Sequence, residues 1–283
     1  MLSLQTVVFP VAGRGTRLLP VTKSVPKELL PVYDKPVLQF AVEEAIAAGA
    51  ERLIFVTHPS KSAIKDYLKA DDVLKDHLEQ DGKAQLAQAL ADITLGREVD
   101  VVFVEQAEPL GLGHAVLMAE PYVVGSHFGV ILPDDVILGV PCLPEMAAEA
   151  GTGHMIAAMD VPEADVSKYG IFRPVPGAMT GRVVKADALV EKPAPADAPS
   201  RLAAVGRYIL DARVFDALRR LEPGAGGEYQ LTDAIAADTP HIGLSGYLFR
   251  GDRHDCGSHA GLLGAANARA EELMGHPLRL AAE

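Results

Sequence analysis

Cysteine is scarce: only Cys142 and Cys256 occur in 283 residues. So far apart, they cannot build the multi-bridge framework of a small secreted domain, and a reducing compartment suits them. Long hydrophobic runs are missing too, since none reaches the roughly 18 residues of a membrane-spanning helix. The first fifteen residues, MLSLQTVVFPVAGRG, have no basic leader segment and run from a short apolar strand into a glycine loop. They do not read as a secretory signal. A cytoplasmic protein with no membrane partner is expected. Positive charge is in deficit, with 26 Lys and Arg against 38 Asp and Glu, a net charge of −12. That balance argues against a general nucleic-acid binder, which needs a basic footprint. It still admits anionic small substrates, held by a few local cations, backbone N–H groups and a bound metal ion. The P-loop pattern G-x-x-x-x-G-K-[ST] is absent, and Leu18 stands where a dinucleotide fingerprint would carry its third glycine.

Apolar material is plentiful. At 49% hydrophobic and 23% charged, the chain can fill a large core and is not of disordered composition. Val7–Pro10 reads as a buried strand. From Pro36 to Gly49, Leu38, Val42 and Ile46 recur at helical spacing between a proline start and a glycine stop, and Arg52–Thr57 reads as the next strand. Strand–helix–strand is the unit of a parallel sheet. Ser60–Ala91 reads as mostly helical, Val99–Val104 as a strand, Gly113–Ala119 as a helix and Phe128–Leu132 as a strand ending near Asp134.

Beyond residue 150 the texture changes. His154–Met159, Gly170–Arg173, Arg182–Val190, Ala203–Leu210 and Gly246–Arg250 are strand-like. Gly224–Gly227 reads as a flexible loop, about 230–237 as a helix, and His259 onward as a terminal helix. The predicted fold is α/β: a doubly wound, mostly parallel, Rossmann-like mixed sheet with helices on both faces and antiparallel excursions over a second substrate. One domain, 1–283, is expected. It divides into two functional halves, about 1–150 and about 151–257, and a terminal helix (about 258–283) that is a candidate oligomer contact.

The first chemical feature is Gly13-Arg14-Gly15-Thr16-Arg17, directly after a strand. Glycines let backbone N–H groups approach phosphate oxygens. With Arg17, Lys23 and Lys27 close together on a proline-stiffened segment, the loop could hold a triphosphate; the plainer reading is a turn with solvated charges. Gln106 follows a strand and precedes Gly111; its amide can donate to and accept from a pyrimidine edge, or simply cap the strand. Asp134 ends an apolar strand, where ligands of open α/β sheets bind, and Asp255 follows another strand-like run. One aspartate from each would suit magnesium, which fills its remaining positions with water and phosphate oxygens. Glu191 could accept from sugar hydroxyls while Lys192 reaches a phosphate, although an exposed Glu–Lys pair is common. Gly170 and Gly206 inside strands mark either close approach to a ligand or bulges. His254-Asp255-Cys256 with His259 lacks a zinc site's second cysteine pair and spacing, so a role in the fold suits His254 and Cys256 better.

Taken in order, VFPVAGRGTRLLPVTKSVPKELLPVYDKP, EQAEPLGLGHAV, VILPDD, KYGIF, VEKP, VGRYIL, GEYQLTDAI and HDCGSHAGLLGA resemble the bacterial UTP–glucose-1-phosphate uridylyltransferases, a branch of the sugar nucleotidyltransferases. The resemblance covers nearly the whole chain. It implies an enzyme that makes UDP-glucose and pyrophosphate from UTP and glucose 1-phosphate, with Mg2+ as cofactor, and assembles as a homo-oligomer, a dimer or tetramer. By matching position it implies that Ala12, Gly13, Gln106 and Gly111 contact the uracil, and that Gly15, Thr16, Arg17 and Lys27 hold the triphosphate. Asp134 and Asp255 would ligate the metal. Gly170, Glu191 and Gly206 would face the glucose and Lys192 its phosphate, so that Arg17, Lys27 and Lys192 carry catalysis. Arg14 stands where the family often has a small or apolar residue, and Tyr229 where an aliphatic one is expected. Two competing readings are a thymidylyltransferase of the same fold and a weakly active regulatory relative that binds the nucleotide. A dehydrogenase would need the missing glycine fingerprint.

Overall fold

The structure is a computed structural model describing residues 2, 4–96, 98–224 and 227–275. Its strands in chain order are β1 (Thr6–Pro10), the short pair β2 (Pro31–Val32) and β3 (Lys35–Pro36), β4 (Arg52–Thr57), β5 (Asp100–Glu105), β6 (His127–Ile131), β7 (Asp135–Leu138), β8 (His154–Asp160), β9 (Gly170–Thr180), β10 (Val183–Glu191), β11 (Leu202–Asp211), β12 (Leu244–Leu248) and β13 (Asp252–Asp255). The helices are α1 (Val37–Ala47), α2 (Ser62–Tyr67), α3 (Asp72–Gln80), α4 (Ala84–Ile93), α5 (Leu112–Met118), α6 (Cys142–Glu149), α7 (Val214–Arg220), α8 (Leu231–Ile242) and α9 (His259–Met274).

Nine strands form one mixed sheet in the order β5-β4-β1-β6-β11-β8-β12-β10-β9. β5, β4, β1 and β6 are parallel, β8 and β12 are parallel, and only β11 and β10 run against the rest. The alternation of apolar side chains along the strands fills both faces. Val8, Ile54, Val56 and Val130 pack with Val116, Phe215 and Ile235 of α5, α7 and α8. Val7, Phe9, Leu53 and Phe55 pack on the other face with Leu38, Val42 and Met146 of α1 and α6. The doubly wound, mostly parallel expectation holds. The antiparallel strands of the second half are continuous with this same sheet.

Several elements differ from the sequence expectation. The helical stretch 60–91 breaks into α2, α3 and α4. Asp71 caps α3 by accepting from Leu74 N at 2.9 Å, and Gly82 (φ 73) separates α3 from α4 in the left-handed region glycine tolerates. The expected strand Gly246–Arg250 is instead β12, ending at Leu248, with a separate β13 beyond it. β13 pairs antiparallel with β7, opposing Asp255 to Asp135. Residues 225 and 226 of the expected glycine loop, and 276–283 of the terminal segment, lie outside the described residues. Among the described residues no helix is long and apolar enough to cross a membrane.

Candidate active site

β1, β5 and β6 are parallel members of one sheet, so the glycine loop after β1, Gln106 after β5 and Asp134 after β6 all leave the same edge. The second half reaches this edge through irregular pairing. β10 shifts register against β9 between Val184 and Ala186 and again between Ala186 and Ala188. Such shifts bend a strand, and the start of β9 returns to β11, where Ile171 pairs with Ala203. Glu191 and Gly170, paired with each other, thereby face the same cleft as Asp134.

That cleft holds about 400 Å3 and is lined by Arg17, Asp134, Asp255, Gly170, Glu191, Lys192 and Gly206 among others. Lys27 Nζ donates to Asp134 Oδ2 at 2.6 Å. The Arg17 guanidinium lies 4.0 Å from Asp134 and 3.6 Å from Asp255. Burial opposes ionisation of Asp134, but the charge and hydrogen bond of Lys27, aided by Arg17, hold its carboxyl below the usual range. Burial likewise disfavours the charged Lys27, yet Asp134 and Glu28 together raise its pKa above the ordinary value. The pair stays ionised.

Adjacent aspartates divide the work. Asp134 faces the glycine-loop cations. Asp135 accepts from Gly206 N at 2.9 Å and from Arg253 Nε at 2.8 Å, with a second, shorter bond from Arg253. Burial pushes the Asp135 carboxyl up, against Arg253 and with Asp134. Arg253 also donates to the Tyr169 hydroxyl at 2.9 Å. A side chain on Gly206 would meet Asp135 Oδ2 at 2.6 Å and Leu132 Cβ at 2.8 Å, so close packing already requires glycine there. At the end of β10, Glu191 accepts from Thr232 Oγ1 at 2.9 Å and lies 3.0 Å from Lys192 Nζ. Lys192 occupies left-handed backbone space (φ 43), held by its N–H to Tyr169 O at 2.9 Å. A non-glycine residue kept there marks a constrained position of the kind that clusters at functional sites.

Beneath the loop, Lys61 Nζ donates to Val11 O at 2.7 Å and to Glu28 at 2.9 and 3.0 Å. This buried pair ties the residue before Ala12 to the residue after Lys27. Ala12 lines a smaller cavity beside the cleft with Arg14, Lys23 and Lys61. Gly13, Gly15, Thr16, Lys27, Gln106 and Gly111 do not line the main cleft; Gln106 is buried just beyond β5.

Asp134 and Asp255 both approach Arg17, and a Cβ built on Gly257 would come 3.1 and 3.0 Å from an oxygen of each. Two hard carboxylates focused on one region fit an oxygen-seeking divalent ion. Among the described residues no third His, Cys, Asp or Glu completes a metal cluster with them, so water and phosphate would fill the remaining positions. Cys256 takes the role in the fold: it is buried with Val32, Val136 and Ala265, and burial with the nearby aspartates pushes its thiol up to about 12.

Asp135, Arg253, Tyr169 and Thr232 are among the cleft residues that sequence reasoning did not assign. Their only signal was adjacency to Asp134, Asp255, Gly170 and the QLTDAI segment.

Comparison with known proteins shows the family. The family model described as "Nucleotidyl transferase" matches residues 8–272. The chain is 39% identical over 270 residues to a UTP–glucose-1-phosphate uridylyltransferase of Streptococcus pyogenes, covering 93% of this chain and 88% of that one. Among solved structures, a UDP-glucose pyrophosphorylase complexed with UDP-glucose superposes with a TM-score of 0.84 at 36% identity, covering 95% of this chain and 99% of that one. A UTP-bound UGPase from Acinetobacter baumannii gives 0.86 at 37%, covering 95% and 94%. The chain therefore belongs to the nucleotidyl transferase family and, within it, to the UTP–glucose-1-phosphate uridylyltransferases.

Proposed function

We propose that this cleft joins UTP to glucose 1-phosphate, forming UDP-glucose and pyrophosphate. The observation that carries the reading is the convergence of Arg17 and Asp134 from the first half of the chain with Glu191, Lys192 and Asp255 from the second. A phosphate oxygen of glucose 1-phosphate attacks the α-phosphorus of UTP in line. The new P–O bond forms as the bond to the β-phosphate oxygen breaks, and its electron pair leaves with pyrophosphate. The attacking oxygen is already anionic at neutral pH, so no general base is needed.

The obstacle is bringing two polyanions together. Arg17 and Lys27 hold the triphosphate and stabilise charge on the departing pyrophosphate, while Lys192 draws in the sugar phosphate. Glu191 and the backbone at Gly170 and Gly206 orient the glucose; Ala12, Gly13, Gln106 and Gly111 hold the uracil, and Gly15 and Thr16 the phosphates. Asp134 and Asp255 would hold Mg2+, which neutralises charge on the phosphate oxygens when bound. The two halves act as one domain in the cytoplasm. Leu263 and Leu273, exposed on α9, would serve a dimer or tetramer contact.

A pyrophosphate-release assay over UTP, dTTP and CTP with glucose and galactose 1-phosphates, with and without Mg2+, tests this. Fastest turnover with UTP and glucose 1-phosphate, dependent on Mg2+, is expected. A preference for dTTP would favour the thymidylyltransferase, and nucleotide binding without turnover the regulatory relative.

A further inference from the structure

Gln106 directly follows β5 and is only 4% exposed. Both of its side-chain contacts among the described residues run through Nε2, which donates to Gly111 O at 3.3 Å and lies 2.8 Å from His114 Nδ1. A carbonyl oxygen only accepts, so the atom facing Gly111 must be the NH2, and this fixes which way the amide points. The second N–H then meets His114 Nδ1, which must be the accepting nitrogen of a neutral imidazole. Burial keeps His114 below its ordinary pKa against the pull of Glu108, which favours that neutral form. Both amide hydrogens are committed. The Oε1 is not among the sealed, unpartnered atoms of the described residues, and it has only acceptor capacity to offer a base.

The frame around this pair is stiff. His114 sits in the first turn of α5, where Gly113 N donates to Tyr229 O at 2.8 Å and Tyr229 N to Leu110 O at 2.8 Å. The Tyr229 ring lies 6.2 Å from the imidazole. Gly111 has φ 98, and a side chain on it would strike Tyr229 O at 2.8 Å.

We propose that His114 is a positioning residue that locks the Gln106 amide with its oxygen outward, so that the site selects a pyrimidine carrying a proton at N3 and rejects cytosine. Uracil donates from N3, whereas cytosine presents a lone pair there and would meet the Gln106 oxygen lone pair to lone pair. Thymine shares the uracil edge, so this lock discriminates UTP from CTP and not from dTTP. The inference rests on Gln106 being the base contact proposed above.

Steady-state kinetics with UTP, CTP and glucose 1-phosphate on the wild type, His114→Leu, His114→Asn and Gln106→Ala test it. Asparagine places an acceptor oxygen where Nδ1 stood; leucine places none. Loss of one locking hydrogen bond should raise KM for UTP about tenfold in His114→Leu and narrow the UTP-over-CTP preference about tenfold. Its kcat and KM for glucose 1-phosphate should stay near wild type, and His114→Asn should recover most of the preference. Equal damage to kcat and both KM values, an unchanged preference, or failure of asparagine to rescue would overturn the proposal. Gln106→Ala separates the two claims. If it raises KM for UTP while His114→Leu does not, the base contact stands and the positioning role falls. If it leaves KM for UTP unchanged, the base contact itself falls, and positioning with it. Nitrogen NMR of the wild-type imidazole needs no variant: a proton on Nε2 is expected, and a proton on Nδ1 would refute the lock.

Discussion

Lys27 and Asp134, 107 residues apart in sequence, meet in a 2.6 Å hydrogen bond beneath the cleft. Burial alone would raise the Asp134 pKa, and Lys27 reverses the sign. A carboxylate with a depressed folded pKa contributes stability above its unfolded value and loses it as pH falls through the folded one. Lys27→Met should therefore move the acid limb of the kcat/KM profile toward neutral pH, because burial then acts on Asp134 with less opposition. Loss of the cation should also lower kcat by about 10²–10³-fold, the scale of removing one charge-stabilising donor. A pH–rate profile superimposable on wild type would remove Lys27 from this role.

Lys192 is a purer test of catalysis. Its side chain is 56% exposed, and its ion pair among the described residues is with neighbouring Glu191, a surface contact of little value to stability. Lys192→Ala should lower turnover by about 10²-fold or more while thermal unfolding stays near wild type. Normal turnover would exclude it from the mechanism.

Gly206 links the two halves through packing. Gly206→Ala puts a methyl group 2.6 Å from Asp135 Oδ2 and 2.8 Å from Leu132 Cβ. Overpacking of this kind destabilises by about 1–3 kcal/mol. Because Asp135 also anchors Arg253, activity should fall further than stability alone explains. An unchanged midpoint in thermal unfolding would contradict the packing described here.

His154 carries a pH dependence remote from the chemistry. It is buried, its Nδ1 accepts from Asp211 N at 3.3 Å, and its Nε2 has no partner among the described residues. Burial lowers its pKa from 6.5 to about 4, outweighing Asp211. For a base with a depressed folded pKa the unfolded chain takes up the extra proton. Stability is therefore intact above about pH 6.5 and declines as pH falls toward 4, by on the order of 3 kcal/mol in all. Urea unfolding at pH 7 and 5 should show that decline, and His154→Gln should flatten it. An equal slope in the variant would assign the effect elsewhere.

The sheet was legible where the chemistry is apolar. Val7–Pro10, Arg52–Thr57 and Phe128–Leu132 are buried runs whose position needs no knowledge of partners. β13 was not legible, because Asp-Arg-His-Asp has no apolar alternation and is a strand only through pairing with β7. The short helix α7 was hidden for a related reason. Its seven residues carry too little periodicity, and Val214, Phe215 and Leu218 declare their face only against the sheet. At the site, Asp134, Asp255, Glu191 and Lys192 announce themselves by charge at strand ends. Arg253 and Tyr169 do not: their role comes from a hydrogen bond spanning 84 residues of sequence. The opposite orientations of Asp134 and Asp135 likewise follow from β7 beginning between them.

The most direct measurement is a crystal structure with UDP-glucose and Mg2+ bound. The diphosphate should lie among Arg17, Asp134 and Asp255, with the glucose ring against Gly170 and Glu191 and Lys192 reaching the sugar-side phosphate. Product seated in another cavity, with Asp134, Lys192 and Asp255 turned toward unrelated solvent, would contradict a single cleft that clamps both anions.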